Sequence, residues 1–264
     1  MDNFTLYQET FSSRLLLGTA AYPSASVLQE SVQAAQPAMI TVSLRRAGSA
    51  GETHGQGFWD LLQTLNCPVL PNTAGCQSVQ EAISTAQMAR EVFETDWIKL
   101  ELIGDDDTLQ PDVFQLVEAA DYLIRDGFKV LPYCTEDLIA CRRLLDVGCQ
   151  ALMPWAAPIG TGLGVVHEYA LRVLRERLPT TPLIIDAGLG KPSQAAQVME
   201  WGYDGVLLNT AVSRSGNPVA MANAFAQATQ AGRTAYLAQP IVPREQAQAS
   251  TPVVGTPFWH SAEY

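Results

Sequence analysis

The sequence lacks the features that mark several large classes of protein. It has 16 Lys and Arg against 27 Asp and Glu, a formal net charge of −11, so it offers little basic surface for nucleic acid or an anionic membrane. No apolar run approaches the ~20 residues that span a bilayer. The stretch MDNFTLYQETFSSR does not join a basic segment to an apolar one, as a secretion signal does. We therefore expect a soluble, cytoplasmic protein.

Cysteine and histidine are also scarce. The five cysteines are odd in number, none belongs to a C-x-x-C pair, and the three histidines are widely separated. This pattern fits neither a disulfide framework nor a zinc site. We expect reduced thiols, no metal ion and no cofactor.

The abundant feature is an alternation of short apolar runs with longer amphipathic segments. Hydrophobic residues make up 47% of the chain, which is enough for a large core. Each short run is rich in Val, Ile and Leu and is bounded by Gly, Pro or polar residues, as is typical of buried strands. The eight predicted strands span residues 15–20, 39–45, 68–72, 97–103, 129–134, 151–156, 182–188 and 205–211.

Amphipathic segments between these runs predict helices. One covers residues 78–93. A second begins at a predicted N-cap, Thr135, and ends at Gly148, and a third runs from Asn217 to Gly232. Strands that alternate with helices form parallel sheets, because a parallel pair needs a helical crossover.

Eight strand–helix units favour a single-domain (β/α)8 TIM barrel over residues 1–237, and a doubly wound open sheet is the alternative. The last stretch, residues 238–264, contains four prolines and little periodicity. We predict an extended C-terminal tail there.

The run WIKLELIG, residues 97–104, carries two charges inside a predicted buried strand. Lys99 and Glu101 are two positions apart, so strand alternation places them on one face, where they can converge at a barrel mouth. We expect burial to lower the pKa of Lys99 and favour the neutral amine, which forms Schiff bases with ketones. Glu101 could then move protons. The alternatives are a buried ion pair without chemistry, or a lysine that extends to the rim.

Other polar groups follow the later strands. Asp186 ends an apolar run and is either an acid or base at the mouth or a turn-forming residue. Three Gly-rich or amide-rich loops follow the last three predicted strands, where barrels often hold phosphate through backbone N–H groups. Those loops span residues 158–164, 187–192 and 209–213. After the second strand, Arg45 or Arg46 could anchor a substrate anion or form a rim salt bridge.

Seven segments of the chain, in order, resemble the signature segments of a known family. They are LLLGT, LPNTAG, IKLELI, GFKVLPYC, MPWAAPIGTG, IIDAGLGKPSQAAQVME and DGVLLNTAVS followed by NPVAMANAF. They resemble bacterial thiazole synthase of thiamine biosynthesis, the ThiG family, from about residue 10 to residue 235. A fainter similarity extends into ASTPVVGTPF.

The resemblance implies a (β/α)8 barrel that builds a thiazole phosphate from three components. These are 1-deoxy-D-xylulose 5-phosphate, dehydroglycine, and sulfur from the C-terminal thiocarboxylate of a small sulfur-carrier protein, ThiS. It also implies a homotetramer. Lys99 stands where the family has its imine-forming lysine, and Glu101 and Asp186 match acidic residues thought to shuttle protons. The positions that match sugar-phosphate contacts are Gly160, Ala187, Gly188, Asn209 and Thr210.

The chain departs from the family pattern at two of these segments. Ala20 and Ala21 replace the usual Gly-Lys after the first strand, and Trp155 and Ala156 replace the usual Leu-Gly. Two other functions remain open from the residues alone. One is a different Schiff-base aldolase or isomerase acting on a sugar phosphate, and the other is a non-catalytic barrel that binds a phosphorylated ligand.

Overall fold

The computed structural model describes residues 2–44, 52–248 and 250. Eight parallel strands form a (β/α)8 barrel, as predicted. Each barrel strand pairs in parallel with its neighbours in chain order, and the last pairs with the first. The barrel strands are β3 (Leu15–Gly18), β4 (Met39–Ser43), β5 (Val69–Asn72), β6 (Trp97–Leu100), β7 (Lys129–Cys134), β8 (Met153–Pro154), β9 (Ile184–Asp186) and β10 (Gly205–Leu208).

The barrel closes between β8 and β9 just before both strands begin. Leu152 and Leu183 form a parallel bridge there. The Leu152 N–H donates to the Pro182 carbonyl at 3.1 Å, and the Ile184 N–H donates to the Leu152 carbonyl at 3.0 Å. This pairing rules out the open doubly wound sheet, in which two edge strands stay unpaired.

Helices surround the barrel and connect its strands. In the described part of the chain they are α1 (Ala25–Ala35), α2 (Glu52–Leu65), α3 (Val79–Phe93), α4 (Val113–Arg125), α5 (Leu138–Asp146), α6 (Glu168–Arg177), α7 (Pro192–Glu200), α8 (Thr210–Ser213) and α9 (Pro218–Ala238). No helix among these residues is long and apolar enough to cross a membrane.

Strand alternation separates two layers of the core. Leu15, Leu17 and their counterparts on other strands pack outward against the helices, whereas Leu16, Trp97 and Ile184 pack together inside the barrel. The interior position two residues further along β6 is therefore Lys99, and along β9 it is Asp186. The fold brings an ammonium and a carboxylate into the layer above an apolar floor.

A β-hairpin closes the amino end of the barrel. Its strands are β1 (Phe4–Leu6) and β2 (Glu9–Phe11), paired antiparallel. Phe4 and Leu6 are buried with the interior barrel residues. Between the strands, Tyr7 packs edge-on against the Trp97 ring, with centroids 5.5 Å apart, and donates a hydrogen bond to the Val130 carbonyl at 2.7 Å.

Two predicted helix ends are wrong. Thr135 is not an N-cap: α5 is capped by Asp137, whose Oδ1 accepts a hydrogen bond from the Ala140 N–H at 2.7 Å. The predicted stop at Gly232 lies inside α9, which continues to Ala238. A Cβ on Gly232 would lie 2.3 Å from the Ala196 carbonyl oxygen, so this glycine permits close packing of α9 on α7.

The eighth predicted strand is too long. It ends at Leu208, and Thr210 begins the short helix α8. After α9, residues 239–248 form neither helix nor strand and are exposed. The rest of the predicted tail, apart from residue 250, lies outside the described residues, and so do Arg45 and Arg46.

Candidate active site

Three charged side chains meet inside the barrel near its carboxyl end. The Lys99 Nζ lies 2.8 Å from Glu101 Oε1 and 2.7 Å from Asp186 Oδ2. All three residues are buried, with exposed fractions of 5%, 6% and 3%. The predicted convergence of Lys99 and Glu101 on one face is confirmed, and Asp186 joins them from β9, three strands away around the barrel.

The predicted net lowering of the Lys99 pKa is wrong. Burial acts in that direction, but the Asp186 and Glu101 carboxylates outweigh it and raise the pKa of Lys99 above its ordinary value. The amine is therefore protonated at neutral pH. A reaction that needs neutral Lys99 must also provide a base to take its proton.

Asp186 has the character of such a base. Burial raises the pKa of this carboxyl above its ordinary value, and the nearby Glu101 charge adds to the effect, while Lys99 opposes it. A carboxylate with a raised pKa binds a proton more readily than an ordinary one. Asp186 Oδ2 lies at contact distance from the ammonium that would supply the proton.

Thr73 fixes the backbone that carries Glu101. The Thr73 hydroxyl donates to the Glu101 carbonyl at 2.6 Å and accepts from the Glu101 N–H at 2.8 Å. Glu101 lies one residue beyond the end of β6, so these two bonds replace regular strand pairing at that point. Thr73 is fully buried and directly follows the adjacent strand β5.

An apolar cluster of Ile103, Tyr133 and Trp155 lies beside the three charges. The Lys99 Nζ is 5.6 Å from the centre of the Tyr133 ring, and Tyr133 packs edge-on against Trp155 with centroids 6.5 Å apart. The Trp155 indole N–H donates to Glu136. Burial, together with the Asp186 and Glu101 charges, raises the pKa of Tyr133, so its phenol stays neutral. The cluster excludes water from one side of Lys99.

The charged residues line a cavity of about 640 Å³ at the carboxyl end of the barrel. All eight residues selected from the sequence line this one cavity. They are Lys99, Glu101, Gly160, Asp186, Ala187, Gly188, Asn209 and Thr210. Ala20, one of the departures from the family pattern, also lines it.

The late loops bring backbone close to the cavity. Gly188 has a φ of +85°, and a Cβ there would lie 2.3 Å from the Ala157 nitrogen, so only glycine fits. Its neighbour Ala187 adopts a φ of +69°, an uncommon conformation for a residue with a side chain. Strain of this kind clusters at functional sites.

Asn209 and α8 provide polar groups on the same side of the cavity. Asn209 Oδ1 is buried and has no hydrogen-bond partner among the described residues. The first N–H groups of any helix lack partners inside that helix, and Thr210 and Ala211, the first two residues of α8, line the cavity. The site therefore offers an acceptor for a ligand hydroxyl and donors for an anion.

The roles of two further residues, Thr73 and Arg214, do not follow from the sequence. The role of Thr73 depends on a cross-strand contact with Glu101 that no sequence pattern reveals. Arg214 also lines the cavity. A strand that continues through residue 211, as predicted, would not place Arg214 at the mouth; the turn of α8 that begins at Thr210 does so.

Comparisons with known proteins agree with this geometry. The model of the family described as thiazole biosynthesis protein ThiG matches residues 5–252. A thiazole synthase from Neisseria meningitidis serogroup C is 82% identical over 260 residues, covering 98% of this chain and 99% of the relative. A thiazole synthase from Cupriavidus pinatubonensis is 70% identical over 261 residues, covering 98% and 94% of the two chains.

A solved structure shares the fold at lower sequence identity. It is the Amycolatopsis orientalis BexX/CysO complex, with a TM-score of 0.81 and 29% identity, covering 92% of this chain and 98% of the compared chain. The family match extends over most of the sequence, and the Neisseria relative is similar along nearly its whole length. This chain belongs to the thiazole biosynthesis protein ThiG family.

Proposed function

We propose that this enzyme, a thiazole synthase of thiamine biosynthesis by its family, builds the thiazole phosphate through an imine on Lys99. The substrates are 1-deoxy-D-xylulose 5-phosphate, dehydroglycine and the C-terminal thiocarboxylate of a small sulfur-carrier protein. The observation that carries the proposal is the contact of one buried ammonium with two buried carboxylates at 2.8 Å and 2.7 Å. A purely structural ion pair needs only one carboxylate.

The first step is capture of the sugar ketone. Asp186 accepts a proton from the Lys99 ammonium, and the neutral amine attacks the ketone carbon to form a carbinolamine. Loss of water from the carbinolamine gives the imine, with a proton returned to the departing hydroxyl. The raised pKa of Asp186 suits it to accept and return this proton.

Glu101 moves protons in the following steps. Its Oε1 lies 2.8 Å from the same nitrogen, so it is within reach of the carbon atoms next to the imine. Tautomerisation of the imine shifts the carbonyl character along the sugar and prepares it for attack by the thiocarboxylate. As the sulfur is transferred to the sugar, the carbon–sulfur bond of the thiocarboxylate breaks and the carrier leaves as its carboxylate, which keeps the oxygen of the attacked carbonyl. The sulfur then adds to the imine carbon of dehydroglycine, the resulting amine displaces Lys99 from the sugar, and loss of a second water completes the ring.

The late loops bind the substrate on the other side of the cavity. The backbone at Gly160, Ala187 and Gly188 and the start of α8 at Thr210 hold the phosphate group. This assignment is supported by their shared position on the cavity wall and by the N–H groups at the start of α8. Asn209 Oδ1, buried without a partner among the described residues, accepts a hydrogen bond from a sugar hydroxyl.

The wider organisation is part of the same proposal. We propose a cytoplasmic homotetramer in which residues 1–237 form the barrel domain and residues 238–264 an extended tail. A protein partner is supported by the similar BexX chain, which was solved in complex with CysO. Light scattering during size-exclusion chromatography checks the tetramer.

Reductive trapping tests the central step. The chain contains only three lysines, Lys99, Lys129 and Lys191, so an adduct can be assigned by peptide mass spectrometry. Borohydride added with 1-deoxy-D-xylulose 5-phosphate should reduce the imine and leave a stable mass increase on the peptide that contains Lys99. Lys99→Ala should abolish the adduct, whereas Lys191→Ala, which removes an exposed lysine outside the cavity, should retain it. An active enzyme that yields no adduct would contradict the imine mechanism, as a non-catalytic binding barrel would never form one.

A further inference from the structure

We infer that Arg214 binds the phosphate group of the substrate at the cavity mouth, an inference that rests on the proposed function. Four charged side chains line the cavity in the described part of the chain: Lys99, Glu101, Asp186 and Arg214. The ammonium of Lys99 is already in contact with both carboxylates. Among the described residues, Arg214 is the one lining cation whose charge is not already paired with a carboxylate.

The guanidinium of Arg214 has no competing partner in the part of the chain that the structure describes. Among the residues described by the structure, no ion pair and no side-chain hydrogen bond involves it. Some other arginines do have such partners. Arg14 and Arg175, for example, both contact Asp204.

The backbone places Arg214 next to the proposed phosphate loop. Its N–H donates to the Thr210 carbonyl at 3.1 Å, which closes the single turn of α8. Arg214 and Thr210 are four residues apart, so they lie on the same side of this turn. Ser215 and Gly216 continue the cavity wall beyond it.

The charge balance of the site favours such a cation. Lys99 with its two carboxylates has a formal net charge of −1, and the whole chain has a formal net charge of −11. A positive group that faces the cavity offsets the repulsion of an approaching phosphate dianion. Arginine presents a planar fork of N–H donors that matches two phosphate oxygens, and it stays charged at any relevant pH.

The position of Arg214 also means that it should affect substrate binding and not the chemical steps. Arg214 is exposed at the mouth, whereas Lys99 is buried inside the barrel. Its contact with the phosphate is the same before and after the sugar reacts, because the phosphate takes no part in bond making. Interactions equal in the ground and transition states change KM and not kcat.

The test compares Arg214→Gln with the wild-type enzyme by the borohydride trapping rate at increasing sugar concentration. For 1-deoxy-D-xylulose 5-phosphate, the half-saturating concentration should rise roughly 10-fold in the variant, since an exposed charge-assisted contact is lost. For the unphosphorylated 1-deoxy-D-xylulose it should not rise. Arg214→Lys, which keeps the charge but loses the fork, should lie between the two.

Arg142→Gln is the matched control. It removes an exposed arginine from α5, outside the cavity, and changes the net charge of the chain by the same amount. Its trapping kinetics should match those of the wild type. If Arg214→Gln resembles Arg142→Gln, or weakens both sugars equally, the inference is overturned.

A second measurement keeps this inference separate from the imine mechanism. Binding of inorganic phosphate, followed by ³¹P NMR, should weaken in Arg214→Gln relative to Arg142→Gln even if no sugar adduct forms. Equal phosphate affinity in the two variants refutes the role of Arg214. A missing adduct with wild-type enzyme, by contrast, refutes the proposed function. The phosphate-binding measurement then still decides whether Arg214 binds phosphate.

Discussion

The Asp186→Asn variant tests the electrostatics of the site directly. Two unit charges 2.7 Å apart, the distance from Lys99 Nζ to Asp186 Oδ2, attract with about 6 kcal/mol at an effective dielectric constant of ~20. Glu101 at 2.8 Å contributes nearly as much. The substitution therefore removes about half of the attraction that offsets the burial of Lys99, and the pKa of Lys99 should fall.

Two consequences should appear together in the pH dependence of borohydride trapping. Trapping by the wild type rises with pH, because the Lys99 amine must lose a proton, and in Asp186→Asn this rise should occur at lower pH. Turnover of the complete reaction should nevertheless fall roughly 10²- to 10⁴-fold, the usual contribution of a general base. The fold should survive, because the variant retains the Lys99–Glu101 ion pair, which has no net charge.

The control for this experiment is Glu101→Gln, which removes the other carboxylate and should move the trapping profile in the same direction. A rise at unchanged or higher pH in Asp186→Asn would refute the reasoning, since it would mean that Asp186 does not hold the proton on Lys99. Unchanged turnover would remove Asp186 from the proton-transfer steps.

Two further variants test how the fold supports the site. Lys99→Met leaves two buried carboxylates without a cation, which should cost roughly 3–5 kcal/mol of unfolding free energy at pH 7. Without the lysine, the pKa of Asp186, already raised by burial, rises further. Stability is therefore lost as pH rises above the ordinary carboxyl range and recovers on acidification. Urea unfolding at pH 5 and pH 7 should show this pH dependence, and a pH-independent loss of stability would contradict it. Thr73→Val leaves the buried Glu101 N–H and carbonyl without partners and should lower the unfolding free energy by about 2–4 kcal/mol. Thr73→Ser keeps the hydroxyl and should lower it far less. Equal urea midpoints for the two variants would show that the hydroxyl contacts do not matter.

The sequence predicted the barrel because its strand signals are local. Each strand is a short Val-, Ile- and Leu-rich run between polar or glycine boundaries, and period-two alternation places Lys99 and Glu101 on one face without further information. The ends of helices depend on contacts that are not local. Gly232 looked like a helix end, but its role is to allow α9 to approach Ala196, and that contact is between helices far apart in the chain.

The direction of the Lys99 pKa shift could not be predicted from the sequence for a related reason. Burial can be anticipated from an apolar run, and burial alone lowers the pKa of a lysine. The opposing effect comes largely from Asp186, which lies on β9, three strands away from β6 around the barrel, and reaches Lys99 across the barrel interior. A charge balance inside a closed sheet depends on tertiary distances, and no spacing along the chain reports them.

The hairpin that closes the amino end of the barrel leaves the cavity open at the carboxyl end. Phe4 and Leu6 are buried with the interior residues beneath Lys99, so the cavity has no exit on that side. In the proposed reaction, the sugar phosphate and the thiocarboxylate tail of the carrier protein must therefore share one entrance. The expected kinetic consequence is an ordered reaction, in which the sugar binds before the carrier tail.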